Sequence, residues 1–401
     1  MKRANKCPWL YWLRWRRIHL LCITCLCALF STGCWDEHEL EHMFYIHAIG
    51  VDYQKGQYVL YAQILNPLTL SKESAKAGPQ TGAWIGTGVG STVQLALHDI
   101  YSTTQRRIYW GHLSSIVIGE HALAQQGIQE TLDTFTRYNE LRYTPWIFCT
   151  NDSVNRVLSA EPILESSPVY SLLSDPGDVS SQSSWIPPFR LYRAISNLQE
   201  PARPHLLPEI SLVEKKWRDE EDGSNPELEI SGYGLLRDGK MLGRLTHDEL
   251  KGFRWLTPRT RRTIVALYDK GKFVATLTLG RPKKHIHPIL GKRHLQFDVD
   301  VSVGGTVSEM RQFASEKQLE TLAAEQIEQD IRDTFQNGVG LGVDIYGLAD
   351  SLYRRNPQAF HHDLTNEGRL VLTSSSLRHV QVQVFVHDTG MTTEPATRFN
   401  S

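Results

Sequence analysis

Two stretches near the C-terminus alternate apolar and polar residues strictly enough to dictate what must pack there. Phe297, Val299, Val301 and Val303 take every second position of 296–303, and Val380, Val382, Val384 and Val386 repeat the pattern. A period of two puts each set on one face of a strand. Between them, Leu319, Ala323, Ile327, Ile331 and Phe335 recur every fourth residue, which makes one stripe along a helix. Ser315 and Gln318 have capping-box spacing at its start, and Gly338 or Gly340 suits its end. Neither a half-apolar strand nor a striped helix is stable until it is covered. The spacing therefore predicts a C-terminal antiparallel sheet packed by a long helix.

Upstream, strands and helices alternate. Tyr58, Leu60, Ala62 and Ile64 line one face of a strand within 41–66, and 116–118 and 145–150 read as short buried strands. Helices are expected after Ser91, over 122–138 and after Asn151 or Ser153. That order predicts an α/β domain. Residues 67–84 read as an exposed loop, and the Ser- and Pro-rich run 168–208 as a linker with one helix near 189–198. Strands follow at 209–216 and 229–237, with a hairpin turn at Asp238-Gly239 before 240–245 and a further strand at 273–279. The expected architecture mixes α/β and α+β in three unlike domains in series. These are 34–200, 205–285 (mainly β) and 286–401 (α+β), behind a leader of residues 1–33.

The leader has two parts. Lys2, Arg3, Lys6, Arg14, Arg16 and Arg17 crowd the start without an acid, and 18–30 is an apolar run of 13. Positive charge followed by a short apolar segment is the design of a signal peptide; a membrane span needs about 20 residues. The run ends in Ser31-Thr32-Gly33-Cys34. Small residues before a cysteine resemble a lipobox. Cleavage is then expected between Gly33 and Cys34, with S-diacylglyceryl and N-acyl groups on Cys34. Ser31 stands where the usual lipobox has Leu.

Removing the leader changes the balance. Six of the 43 basic residues go with it, leaving 37 against 44 acidic ones. A mildly acidic body gives no electrostatic reason to bind nucleic acid. Only Cys34 and Cys149 remain of the six cysteines. With Cys34 acylated no intramolecular disulfide can form, so the fold must rest on its cores. Cys149 lies in the apolar run 146–149 and is expected to be a buried, inert thiol.

Cys34-Trp35-Asp36-Glu37-His38-Glu39-Leu40 resembles the C-W-D-x-x-E-L opening of mature Ger(x)C proteins, through Trp35, Asp36, Glu39 and Leu40. Ile49-Gly50-Val51-Asp52 is similar to the family's first-strand motif, and Ile116-Val117-Ile118-Gly119-Glu120 to its I-I-[IV]-G-E segment. Asp344-Ile345-Tyr346-Gly347-Leu348 resembles its D-x-F-G-F segment, with Tyr346 and Leu348 in place of Phe. The resemblance implies the lipoprotein subunit of a nutrient germinant receptor used in spore germination. It implies no catalysis and no cofactor. The implied partners are integral-membrane receptor subunits and, through Cys34, membrane lipid. The implied location is the extracytoplasmic face of the spore inner membrane. The rival class is an extracytoplasmic small-molecule-binding lipoprotein, for which two similar lobes around a cleft would be expected.

Three constellations invite other chemistry. His38-Glu39-Leu40-Glu41-His42 is a literal H-E-x-x-H, but a zinc site needs a helix behind a sheet and a third ligand, for which His47 is the candidate. Glu39 and Leu40 are already accounted for by the opening motif. Gly86-Thr87-Gly88-Val89-Gly90-Ser91-Thr92 lacks the Lys of a phosphate-binding loop and reads as a flexible loop with a helix cap. His285, His287 and His294 sit among Lys283, Lys284, Lys292 and Arg293 and read as a solvated turn.

Overall fold

A computed structural model describes residues 9, 12, 15–21, 23, 24, 43–65, 83–137, 141–163, 168–183, 185–214, 216, 217, 226–290, 295–362 and 371–388. The chain divides into two compact units, Met1–Phe44 and Tyr45–Ser401. In the first, residues 15–21 are helical. Among the described residues no helix is long and apolar enough to cross a membrane. The second unit carries the buried clusters, which among the described residues begin at Ile46.

The first sheet contains β1 (Met43–Gln54), β2 (Gln57–Leu65), β3 (Ala83–Gly90), β4 (Arg107–Tyr109), β5 (Ser115–Gly119), β6 (Trp146–Thr150), β7 (Leu206–Val213), β8 (Glu227–Arg237) and β9 (Lys240–Thr246). Their order is β3-β2-β1-β5-β6-β7-β8-β9, with β4 paired to β1 off that path. β1 and β2 form a hairpin through Lys55 (φ 51) and Gly56 (φ 81), and β8 and β9 one through Asp238 (φ 51) and Gly239 (φ 79). Two successive positive φ values are the signature of the tight turn that matches strand twist. The central strands β1, β5 and β6 are parallel. Every residue of β5 is buried, as expected where helices cover both faces of a parallel sheet. Those helices include α1 (Val93–Tyr101), α2 (Glu120–Gln125), α3 (Ile128–Arg137), α4 (Val154–Ser159), α5 (Pro176–Gln182) and α6 (Leu191–Gln199).

The glycine-rich run at 86–90 is a strand rather than a flexible loop. β3 pairs along its whole length with β2, from Leu65↔Ala83 to Tyr58↔Gly90. Its glycines serve packing: a Cβ on Gly88 would lie 2.1 Å from the Ala96 carbonyl oxygen, so α1 rests directly on the strand backbone. Thr92, one residue beyond Ser91, caps α1 by accepting from the Leu95 amide at 3.1 Å.

Residues 205–285 do not form a sheet of their own. β7 joins β6 in parallel through Cys149↔Glu209, so β7, β8 and β9 extend the first sheet across the linker. β10 (Thr263–Asp269) and β11 (Lys272–Ile289) open the second sheet, which continues through β12 (Gln296–Met310) and β13 (Leu377–Asp388). β10, β11 and β12 are antiparallel neighbours. β13 pairs with β12 in parallel, because the chain crosses over through α7 (Glu316–Gly340), α8 (Leu348–Arg355) and α9 (Pro357–His362) before it returns.

The C-terminal half is otherwise as its spacing requires. Phe297, Val299, Val301 and Val303 are buried, and so are Leu319, Ala323, Ile327, Ile331 and Phe335 on the facing stripe of α7. α7 packs across β13 and β10. Ser315 caps it by accepting from the Gln318 amide at 3.3 Å.

Candidate functional site

The expected anchoring residues Gly33, Cys34, Trp35, Asp36, Glu39 and Leu40 lie outside the described residues, as do His38 and His42. The described part of this region starts at Met43, where β1 begins.

Two of the motifs meet at the opposite, C-terminal end of β1. β1 and β5 run parallel with Val51 opposite Ile118, which sets Asp52 beside the Gly119-Glu120 step. A Cβ on Gly50 would lie 2.2 Å from Val154 Cγ1, so the motif glycine is what lets α4 lie against β1. Asp52 is buried at the strand end. Its Oδ1 accepts from the Tyr53 amide and its Oδ2 from Gln54 Nε2, both at 2.8 Å. The carboxyl ends of parallel strands are where open sheets gather ligands, and Asp152 and Glu209 lie at this end too. Asp152 Oδ2 accepts from the Leu212 amide at 2.8 Å. Glu209 pairs with Arg244 at 3.2 Å; burial pushes its carboxyl up while Arg244 pulls it back. Each of these carboxylates holds a strand or loop in place, and Asp52 Oδ1 also lies 3.6 Å from Nδ1 of the exposed His121.

His47 also has a structural post. Its Nδ1 lies 2.9 Å from Gln63 Oε1 and its Nε2 2.9 Å from Ser174 Oγ. Both ring nitrogens are engaged, so His47 pins the 171–174 turn to the sheet and has no lone pair to offer a metal. Burial depresses its basicity. Among the described residues no three His, Cys, Asp or Glu side chains approach as metal ligands.

His285 and His287 do not sit on a turn. They lie on β11 opposite Asp300 and Asp298 of β12, and His287 Nε2 is 3.2 Å from Asp300 Oδ2. His294 lies outside the described residues. The Asp344–Leu348 motif is a helix start: Asp344 Oδ2 accepts from the Ala349 amide at 2.7 Å, and the Tyr346 hydroxyl donates to the Ile331 carbonyl at 2.9 Å, tying α8 to α7.

Cys149 is fully buried, its Sγ facing the Leu207 carbonyl at 3.5 Å. Desolvation, with a smaller push from Glu209, raises the thiol well above its ordinary value. A reactive cysteine needs an exposed thiolate. Native protein treated with a thiol reagent at pH 8 is therefore expected to leave Cys149 unmodified and to release it to the reagent in denaturant. Stoichiometric native labelling of Cys149 would contradict this packing.

A cleft of about 500 Å³ that the sequence does not reveal lies between α5, the β7–β8 end and His247. Trp185 forms part of its wall, packed between the His247 ring at 3.5 Å and the Arg254 guanidinium at 4.0 Å. Lys216 there is paired with Glu229 at 2.7 Å.

The spore germination protein N-terminal domain family matches residues 36–212, and the spore germination B3/GerAC-like C-terminal family matches 231–390. Spore germination protein KC of Bacillus subtilis strain 168 is 22% identical over 401 residues, covering 95% of this chain and 98% of that protein. Spore germination protein YndF of the same organism is 24% identical over 352 residues, covering 81% and 83%. The crystal structure of the GerBC protein shares the fold, with a TM-score of 0.52 at 18% identity over 84% of this chain and 96% of that one. Two domain families matched in order across most of the chain show that it belongs to the Ger(x)C family of spore germination proteins.

Proposed function

We propose that the chain is the lipid-anchored, non-catalytic lipoprotein subunit of a nutrient germinant receptor. It works as an extracytoplasmic scaffold that docks on integral-membrane subunits at the spore inner membrane. One observation carries most of the weight: the family match opens at residue 36, two residues past Cys34, which closes the small-residue run Ser31-Thr32-Gly33-Cys34. The structural use of Asp52, Asp152, Glu209 and His47 supports a role without catalysis.

Anchoring supplies the physical advantage. A tethered body meets its membrane neighbours at high effective concentration and needs little intrinsic affinity. One acyl chain holds marginally, whereas several hold stably. The decisive measurement is the mass of the N-terminal peptide of the protein extracted from membranes. A peptide beginning at Cys34 with diacylglyceryl and N-acyl mass added is expected. An unmodified N-terminus on freely soluble protein would refute the anchor.

The cleft beside Trp185 has the size of a small-molecule pocket and favours a second reading, a small-molecule-binding lipoprotein. Retention of labelled nutrient by the isolated protein would separate that reading from a pure scaffold.

A further inference from the structure

The first sheet has two unlike ends. The hydrogen-bond register sets Ile46 opposite Ile64, and Ile64 opposite Trp84. The Ser114 amide donates to His47, and the Trp146 amide to Ser114. Trp84, Ile64, Ile46, Ser114 and Trp146 thus mark one end, where the chain enters β1. The opposite end of the same strands carries Lys55, Glu120, Asn151 and Asp152.

The entry end is rich in aromatic rings with polar tips. Trp84 is 69% exposed, Tyr143 49% and Tyr192 52%. The Tyr192 amide donates to the Tyr143 carbonyl, so these two lie side by side. Tyr45, Tyr109 and exposed His112 form a ring cluster with centroids 4.8 to 5.8 Å apart. Cations share this end. Arg107 lies two residues from Tyr109 on β4, Arg142 is exposed, and Arg190 lies over the Trp146 ring at 3.6 Å. Tyr192 and Asp175 both lie close enough to act on Arg190, and Asp175 also accepts from the Gly177 amide.

We propose that this end of the sheet is a membrane-contact surface for a bilayer of acidic phospholipid. Trp and Tyr seat at the headgroup level, where the ring is apolar and its tip is wet, and arginines add attraction to anionic lipid. Chain length selects this end. Nine peptide steps link Cys34 to Met43, which reach about 30 Å at most. β1 is 12 residues long, so its far end lies roughly 35–40 Å beyond its start. An anchor at Cys34 therefore brings the aromatic end to the bilayer and leaves the polar end facing away. This orientation rests on the anchored reading, but the affinity of the surface for lipid can be measured without the anchor.

The test uses the chain from residue 35 onward, which retains the whole compact unit Tyr45–Ser401 and lacks both leader and Cys34. It is sedimented with vesicles of phosphatidylcholine alone or mixed with phosphatidylglycerol. Binding is expected to the acidic vesicles, to weaken at 0.5 M salt, and to fall roughly tenfold in the double variant Trp84→Ser, Tyr143→Ser. Both positions are exposed, and circular dichroism should show an unchanged fold. Ile264→Ser with Tyr268→Ser, on the exposed face of β10 in the other sheet, serves as the control and should change binding less than twofold if lipid attraction is local. Absence of vesicle binding, or equal loss in the control, overturns the proposal. An unacylated Cys34 in the full chain would sink the anchor and leave this measurement intact.

Discussion

A chain carrying Cys34→Ala is expected to accumulate with its leader attached, to be stripped from membranes by alkaline carbonate, and to leave spores unresponsive to nutrient. On the proposed anchored reading, removing the thiol removes both the acyl attachment and the position at which a lipid-dependent peptidase cuts. What remains is the 13-residue apolar run 18–30, shorter than the roughly 20 residues a stable span requires. Several acyl chains contribute about 0.8 kcal/mol for each buried methylene, and none of that survives the substitution. Losing the tether lowers the effective concentration at the receptor by roughly a hundredfold or more, so the nutrient response should drop to background. Germination by an agent that bypasses nutrient receptors should be unchanged. A variant that is processed normally, stays with the membrane and germinates at the parental rate would remove lipid from the account.

How much of this was readable beforehand depended on whether the information was local. The stripe on α7 and the alternation in β12 are legible because the same residues that set the period are the ones buried. β3 is hidden because Gly86, Gly88 and Gly90 have weak strand propensity. They form a strand only because β2 pairs along them and α1 needs their missing side chains. The Gly-Arg-Pro-Lys-Lys-His run at 280–285 has turn composition, yet β11 passes through it. A register shift between Gly280 and Lys283, with Arg281 at φ 53, absorbs Pro282 as a bulge.

Sheet membership is the least local property of all. Alternation announces β7, but only the pairing Cys149↔Glu209 says which sheet it joins. The expected anchor at Cys34 rests on composition and order alone, since export chemistry reads an unfolded leader, and it lies outside the described residues. The aromatic end of the sheet was not legible, because Trp84, Tyr45, Tyr109 and Tyr143 are gathered by strand register across about a hundred residues.

The join between the two sheets is another contact that spacing conceals, and it should be the most sensitive point of the fold. After β9 the chain passes through 247–262 to β10 and lays Arg254 and Trp255 against α7. Asp330 receives them: Trp255 Nε1 donates to Oδ2 at 3.3 Å, Arg254 Nη2 lies 3.6 Å from Oδ2, and Gln326 Nε2 donates to Oδ1 at 3.0 Å. Arg254 and Asp330 are 4% and 7% exposed. Burial pushes the guanidinium down to about 10, even with Asp330 opposing the shift. Arg254 Nε and Nη1 make no hydrogen bond among the described residues, so the carboxylate is the main compensation for a buried charge. Asp330→Ala removes it, leaving Arg254 with only the Trp185 and Trp255 ring faces and Trp255 Nε1 without its acceptor, a change that costs roughly 3–5 kcal/mol where one partner of a buried ion pair is deleted. The midpoint of urea unfolding should fall accordingly.

Replacing both partners, Arg254→Met with Asp330→Leu, removes the uncompensated charge and should recover most of that loss. If Asp330→Ala shifts stability by less than about 1 kcal/mol, the range of an ordinary surface change, the join is not held by this pair. The union of the two sheets would then need another source.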